Sequence, residues 1–300
     1  MNHYFTKKCF KFTFFVVLYV GNILLEWVKL VSFKNLVDFH VHTDNSNDAH
    51  ASLMVIGEKA VDKGIRALAV TDHAECHRYR KDSFDLAIRN SYFEAMKAKT
   101  AFCGQLALMA GVELGQPLHD LDAANDALAC NPWDFVIGSL HLVKGSTDFW
   151  KVDYTTADVP ALLIQYFNEI YEMVCWGKFD SLGHLTYPLR YIVGREKIQV
   201  NLDDYSEQIH AILSRLAQDE KALELNTQGY RTEYGKPTPD FEVFKLFKQL
   251  GGKYVTIGSD CHYAADVGAN IQDGLQLLSR AGFDSVTIYD RREPIQIPII

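Results

Sequence analysis

Residues 36–48 read LVDFHVHTDNSND, and this stretch decides the fold. Its first half, Leu36–Val41, is short and apolar and runs into a polar turn, which predicts a buried strand. No GxGxxG and no P-loop follows it, so an open nucleotide-binding sheet is disfavoured. Comparable runs recur at Arg66–Thr71, Leu106–Val112, Phe135–Leu140, Ser181–His184, Ala222–Asn226, Tyr254–Ser259 and Ser285–Tyr289. Between them lie amphipathic segments, predicted helices at Leu53–Lys63, Ser83–Cys103, Ala157–Trp176, Leu202–Gln218, Asp240–Leu250 and Ala269–Ala281. Met54, Glu58 and Val61 fall at helical spacing in the first, and Phe241, Phe244, Phe247 and Leu250 in the fifth. Strand-then-helix repetition means parallel strands with crossover helices, and about seven such units suit a closed or nearly closed α/β barrel.

Such barrels keep their chemistry at the carboxyl ends of the strands. The strand ends here read DFHVHTDNSND, VTDHAE, AGVELG, IGSLH, SLGH, ELN and IGSDCH. Almost every one delivers a His, Asp or Glu, which a shared site explains. Alternate strand residues face the same side, so His40 and His42 project together, as do Asp260 and His262. Cys261 then faces away as a packing thiol. Singly, each residue has a bland alternative. An isolated HxH is more often a pair of barrel-interior histidines. Asp48 alone is a loop residue or a helix cap. Asp72 either supports His73 or is a solvated turn residue. Glu113 ends an apolar strand, where a carboxylate needs a partner.

Together, His40, His42, Asp48, His73, Glu113, His141, His184, Asp260 and His262 form a set of imidazoles and carboxylates suited to Zn²⁺, Mn²⁺ or Fe²⁺. Nine ligands exceed one ion and suit three with open positions. Three divalent ions against three carboxylates leave roughly three positive charges, a docking site for phosphate.

Composition narrows the partners. The chain has 300 residues, Lys+Arg 30 against Asp+Glu 38, and a net charge of −8. That balance disfavours a nucleic-acid binder, and no basic, aromatic-rich stripe interrupts it. Cysteines at 9, 76, 103, 130, 175 and 261 form no CxxC pair and read as reduced thiols in a reducing, cytoplasmic setting.

The N-terminus differs from the rest. Lys7, Lys8 and Lys11 precede an apolar run from Phe12 to Leu25. The order resembles a signal peptide, without the small-residue cleavage end. Extended to spanning length, the run takes in Glu26 and Lys29 and makes a poor transmembrane helix. We therefore expect an extension over residues 1–35, either a start-site artefact or a membrane-associating segment, and a catalytic barrel over 36–300. Any membrane contact would come through residues 12–25.

The motifs DFHVHTDNSND, TDHAE, GVELG, GSLH, GHL and GSDCH resemble those of the polymerase-and-histidinol-phosphatase (PHP) superfamily, in order and spacing, from about Val37 onward. The closest resemblance is to its stand-alone histidinol-phosphatase branch. That resemblance implies a distorted (β/α)7 TIM-like barrel in a single domain. It implies one metal held by His40, His42, Glu113 and Asp260. A second would be shared through Glu113 with His141 and His184, and a third held by Asp48, His73 and His262. Many relatives have His where Asp48 stands, which points to a harder ion at the third site. GHLTYPLRY and ELNTQGYR resemble the branch's phosphate-side segments, making Arg190, Asn226 and Arg231 candidate substrate-binding residues. For each Arg the alternative is a surface salt bridge.

The implied activity is hydrolysis of a small phosphate monoester, histidinol phosphate foremost, by direct attack of metal-activated water. No GxSxG or DxDxT-like motif offers a covalent nucleophile. Asp260 or His262 would supply the leaving group's proton through a bound water. Glu75 and Asp153 are candidates for the substrate ammonium, and Gln116 and His119 either line the pocket or sit in the loop. The competing functions are a phosphoesterase for nucleotides, phosphoproteins or nucleic-acid ends, and a non-catalytic metal-binding module.

Overall fold

The computed structural model describes residues 33–300. The extension expected over 1–35 lies outside the described residues except for 33–35. The chain runs β1 (Leu36–Val41), α1 (Leu53–Asp62), β2 (Ile65–Val70), β3 (His73–Glu75), α2 (Phe84–Ala101), β4 (Ala107–Gly115), α3 (Leu121–Ala129) and β5 (Phe135–Ser139). It continues through α4 (Val159–Trp176), β6 (Ser181–Leu182), α5 (Ser206–Gln218), β7 (Ala222–Asn226), α6 (Phe241–Gln249), β8 (Val255–Gly258), α7 (Ile271–Arg280), β9 (Ser285–Asp290) and β10 (Glu293–Pro298).

The strand order β1-β2-β4-β5-β6-β7-β8 is parallel throughout, with β3 extending the ladder beside β4. Two main-chain bonds, Asp260 N to His40 O at 2.8 Å and His42 N to Cys261 O at 3.1 Å, draw β8 toward β1. The result is the nearly closed barrel of seven strands that the strand-and-helix alternation calls for. Its strands are buried on both faces because helices cover the outside.

The helices follow from their ends and stripes. Asp158 caps α4 by accepting from Ala161 N at 3.1 Å, Pro160 occupies its first turn, and Gly177 ends it at φ 66°. Its Leu163, Phe167, Ile170 and Val174 form the stripe buried against the sheet. In α1 the buried face is Leu53, Ile56, Gly57 and Ala60; Met54 is exposed, so the expected Met54–Val61 stripe is one step off. The expected helix over Leu202–Gln218 divides into a 3₁₀ turn at Leu202–Tyr205 and α5. The antiparallel hairpin β9–β10 packs near the amino ends of β5 and β6. Tyr289 stacks on Phe135 with ring centres 5.2 Å apart, and Arg292 pairs with Asp180, just before β6. That leaves the opposite, carboxyl end open for a site.

Candidate metal centre

Each strand end delivers its side chain because the following turn is fixed from below. After β1, Asp72 accepts from Thr43 N, Thr43 Oγ1, Ser46 Oγ and Ser91 Oγ at 2.5–2.7 Å. Asp72 therefore pins the turn that carries Asp48 and does not support His73, as its position in the sequence suggested. Asp48 is no helix cap either, since Ser52 precedes α1. Asp38 does the matching work on the last turn, accepting from Ser259 N, Ser259 Oγ and Gly268 N.

These anchored turns bring all nine candidate ligands onto one rim. His40 Nε2 lies 3.1 Å from His42 Nε2 and 3.4 Å from Glu113 Oε2; His42 Nε2 lies 3.3 Å from Asp260 Oδ1. The other oxygen, Glu113 Oε1, lies 2.9 Å from His184 Nε2 and 3.1 Å from His141 Nε2, which are 3.3 Å apart. Asp48 Oδ2 stands 3.6 Å from His73 Nε2 and 3.4 Å from His262 Nε2. His42, His73 and His262 also converge. The two oxygens of Glu113 thus face two different sets of donors.

The donor set fits divalent cations. A tetrahedral site with bonds of about 2.1 Å places its ligand atoms about 3.4 Å apart, and the spacings above cluster there. His73 Nδ1 and Glu113 Oε2, 2.8 Å apart, are buried without an aligned hydrogen bond, and His184 Nδ1 has no partner among the described residues. Such unsatisfied polar atoms are costly unless an unseen group completes them.

Electrostatics point the same way. Burial pushes an imidazole toward neutrality, yet at His40 the carboxylates of Glu224, Asp260 and Glu113 overcome it and hold the ring charged well above its ordinary range. Burial is likewise overcome at His73 by Glu113 and Asp48, and at His141 by Glu75 and Glu113. Burial with the neighbouring His73 and His262 lowers His42 to about 4. Against burial, His40, His141 and His73 hold Glu113 well below the carboxylate range, and His40, His42 and Arg190 do so for Asp260. A rim of ionised acids beside basic nitrogens is what a cation replaces protons in.

Two carboxylates back the rim: Glu75, expected to meet the substrate ammonium, holds a ligand imidazole, and Glu224 went unforeseen in the sequence. Glu75 Oε1 accepts from His141 Nδ1 at 2.8 Å, and Gln116 bridges to it, its own Oε1 taking the His141 main-chain N–H at 3.0 Å. Glu75 is thus engaged within the rim. Glu224 lies 2.5 Å from His40 Nδ1. The only signal in the sequence was their place at strand ends. Asp153 is exposed and bonds Thr155, away from the site. His119 pairs with Glu169 at 2.8 Å and lines a separate cavity of about 550 Å³.

A cavity of about 700 Å³ opens over the rim, walled by Asp148, Trp150, Tyr187, Arg190 and Tyr191. A connected lobe of about 430 Å³ holds Arg190, Arg195, Arg231, Gln228 and Tyr263. Arg190 is only 4% exposed; its guanidinium donates to Asp260, Asn226, Thr238 and Gln228. Asn226 is buried behind it, and Arg231 reaches the lobe while bonding Ser259 O at 2.6 Å.

The chain is similar to known proteins over most of its length. A histidinol-phosphatase of Lactococcus lactis subsp. lactis is 26% identical over 84% of this chain and 94% of its own. A "Probable histidinol-phosphatase" of Thermotoga maritima is 28% identical over 84% of this chain and 95% of its own. The crystal structure of the Lactococcus lactis histidinol phosphate phosphatase, complexed with zinc, L-histidinol and phosphate, superposes with a TM-score of 0.76 at 24% identity. It covers 87% of this chain and 99% of that one. The family model of the PHP domain matches residues 38–228, so the chain belongs to the PHP domain family.

Proposed function

We propose that this chain is a metal-dependent phosphate monoester hydrolase acting on histidinol phosphate, and that His40, His42, Asp48, His73, Glu113, His141, His184, Asp260 and His262 hold its divalent ions. One observation carries the reading: each oxygen of buried Glu113 faces its own set of imidazoles, at the floor of a cavity that Arg78, Lys151 and Arg190 help to line. The names of the relatives support the substrate.

Charge supports it too. Asp48, Glu75, Glu113, Glu224 and Asp260 contribute five negative charges, and Arg190 one positive. Three divalent ions would leave a surplus of about two positive charges, the complement of a phosphate dianion. When bound, such ions acidify a water and offset the charge that builds on the phosphoryl oxygens.

The chain's own residues do the rest. Arg231 and Arg195, in the lobe beside the rim, are placed to orient phosphoryl oxygens, whose geometry suits guanidinium. Arg190 and Asn226 bond Asp260 Oδ2, at 3.2 and 3.0 Å. With His40 and His42, Arg190 keeps Asp260 ionised, suited to hold a cation. His262, whose ring is partly open to the cavity, is the better placed to pass a proton through a bound water to the leaving alkoxide. Residues 36–300 contain every group this scheme uses.

Steady-state kinetics on histidinol phosphate against a panel of phosphate esters tests the substrate. We expect kcat/KM for histidinol phosphate to exceed the others by at least two orders of magnitude. A flat profile overturns the substrate. Glu113→Ala that retains near-normal turnover overturns the centre.

A further inference from the structure

Glu224 lies in β7, 1% exposed, and touches two of the candidate ligands at once. Its Oε1 is 2.5 Å from His40 Nδ1, on the far side of that ring from the rim. Its Oε2 accepts the main-chain N–H of His184 at 2.7 Å and Asn226 Nδ2 at 3.3 Å. His184 stands at φ 20°, at the border of the left-handed region, a backbone setting that persists only when its surroundings hold it. Gly258 makes the room. A Cβ there would stand 2.2 Å from His40 Cβ and 3.0 Å from Glu224 Oε1.

We infer that Glu224 is a positioning residue that fixes the tautomer of His40 and the backbone of His184 with one carboxylate; this rests on the reading of the rim as a cation centre. An ionised carboxylate offers acceptors alone, so His40, His184 and Asn226, which face it, must each donate. His184 does so through its fixed N–H. His40 does so through Nδ1–H, so that when a cation takes the place of the other ring proton, the lone pair of the neutral ring lies on Nε2, toward Glu113 and His42.

Glutamine has nearly the same shape and cannot do this, because its amide has one acceptor end and one donor end. With its oxygen on His184 N–H, its NH₂ faces His40 Nδ1 and selects the Nε2–H tautomer, which closes the lone pair to a cation. With its oxygen on His40, its NH₂ meets the His184 N–H donor to donor, and that turn loses its hold. Neither orientation restores the wild-type arrangement.

The test uses the full chain, stripped with a chelator and reloaded with zinc. Competition against a chromogenic chelator reads the zinc affinity of the wild type, Glu224→Gln, His40→Ala and the double variant. We expect Glu224→Gln to weaken at least one zinc by about 10- to 100-fold. We expect that loss to shrink severalfold in the His40→Ala background, since both changes act on one ligand. Nitrogen-15 spectra of the loaded wild type should show His40 protonated at Nδ1. That spectrum decides the matter even if the variant does not fold: His40 protonated at Nε2 overturns the proposal. Glu224→Gln binding zinc as tightly as the wild type also overturns it and leaves the centre standing. A wild type that binds no zinc overturns both.

Discussion

Arg190 shows how much a single buried side chain holds in place. Its guanidinium fans out to Asp260, Asn226, Thr238 and Gln228 and lies 5.2 Å from the ring centre of Tyr187. Arg190→Met keeps the bulk and removes the charge, leaving Asp260 buried beside unmatched acceptors. We expect the metal-free chain to lose about 3–5 kcal/mol in urea denaturation, and a loss under 1 kcal/mol would make the pairing incidental. The sequence places Arg190 beside a strand end and so near the site. It does not show that its partner would be a carboxylate 70 positions away. The same limit hid Glu224 altogether and hid that Glu75 would hold His141. A rim residue is marked by its place at a strand end, whereas the group that orients it is set by distance in space.

At the scale of elements, the long apolar strands were legible and the short or low-contrast pieces were not. β1 and β7 begin and end where the sequence places them. β6 shrinks to Ser181–Leu182, so His184 stands past the strand in a strained turn. The helix α3 was unforeseen because its buried face is Ala123, Ala124 and Ala127, too small to stand out as a stripe. β3 has three residues, and β10 carries prolines at both ends of its EPIQIP, so neither gives a strand pattern. β5 is the strand where packing matters most visibly. Phe135, fully buried, meets Phe39 edge-on at 5.4 Å and stacks on Tyr289 of the hairpin. Phe135→Ala should cost about 3–5 kcal/mol by chemical denaturation. A value below 1 kcal/mol would mean the hairpin does not seal that end.

For the whole molecule, the buried imidazoles pull stability in opposite directions with pH. Against burial, nearby carboxylates raise His40, His73, His141 and His262. Their stabilisation is complete below the unfolded value of about 6.5 and fades as pH climbs toward the raised folded values. Burial lowers His42 and His184. Below about pH 6.5 the unfolded chain takes up protons that these two refuse, so folding weakens on that side as well. The melting temperature of the stripped chain should therefore peak near about pH 6.5. That of the zinc-loaded chain should peak higher, because bound cations take the place of protons. Scans that rise or fall monotonically for the stripped chain would refute the scheme.

The junction of β8 with β1 has a further consequence. Few main-chain bonds span it, yet His40 and His42 stand on one side and Asp260 and His262 on the other. Ions lodged there would rivet the first strand to the last, closing a loop of more than two hundred positions in a partly opened chain. Deuterium uptake at the amides of Val41, His42 and Cys261 should then slow on loading far more than uptake in α4, which joins β5 to β6 in the middle of the strand order. The ions would act as the hoop that keeps the staves together.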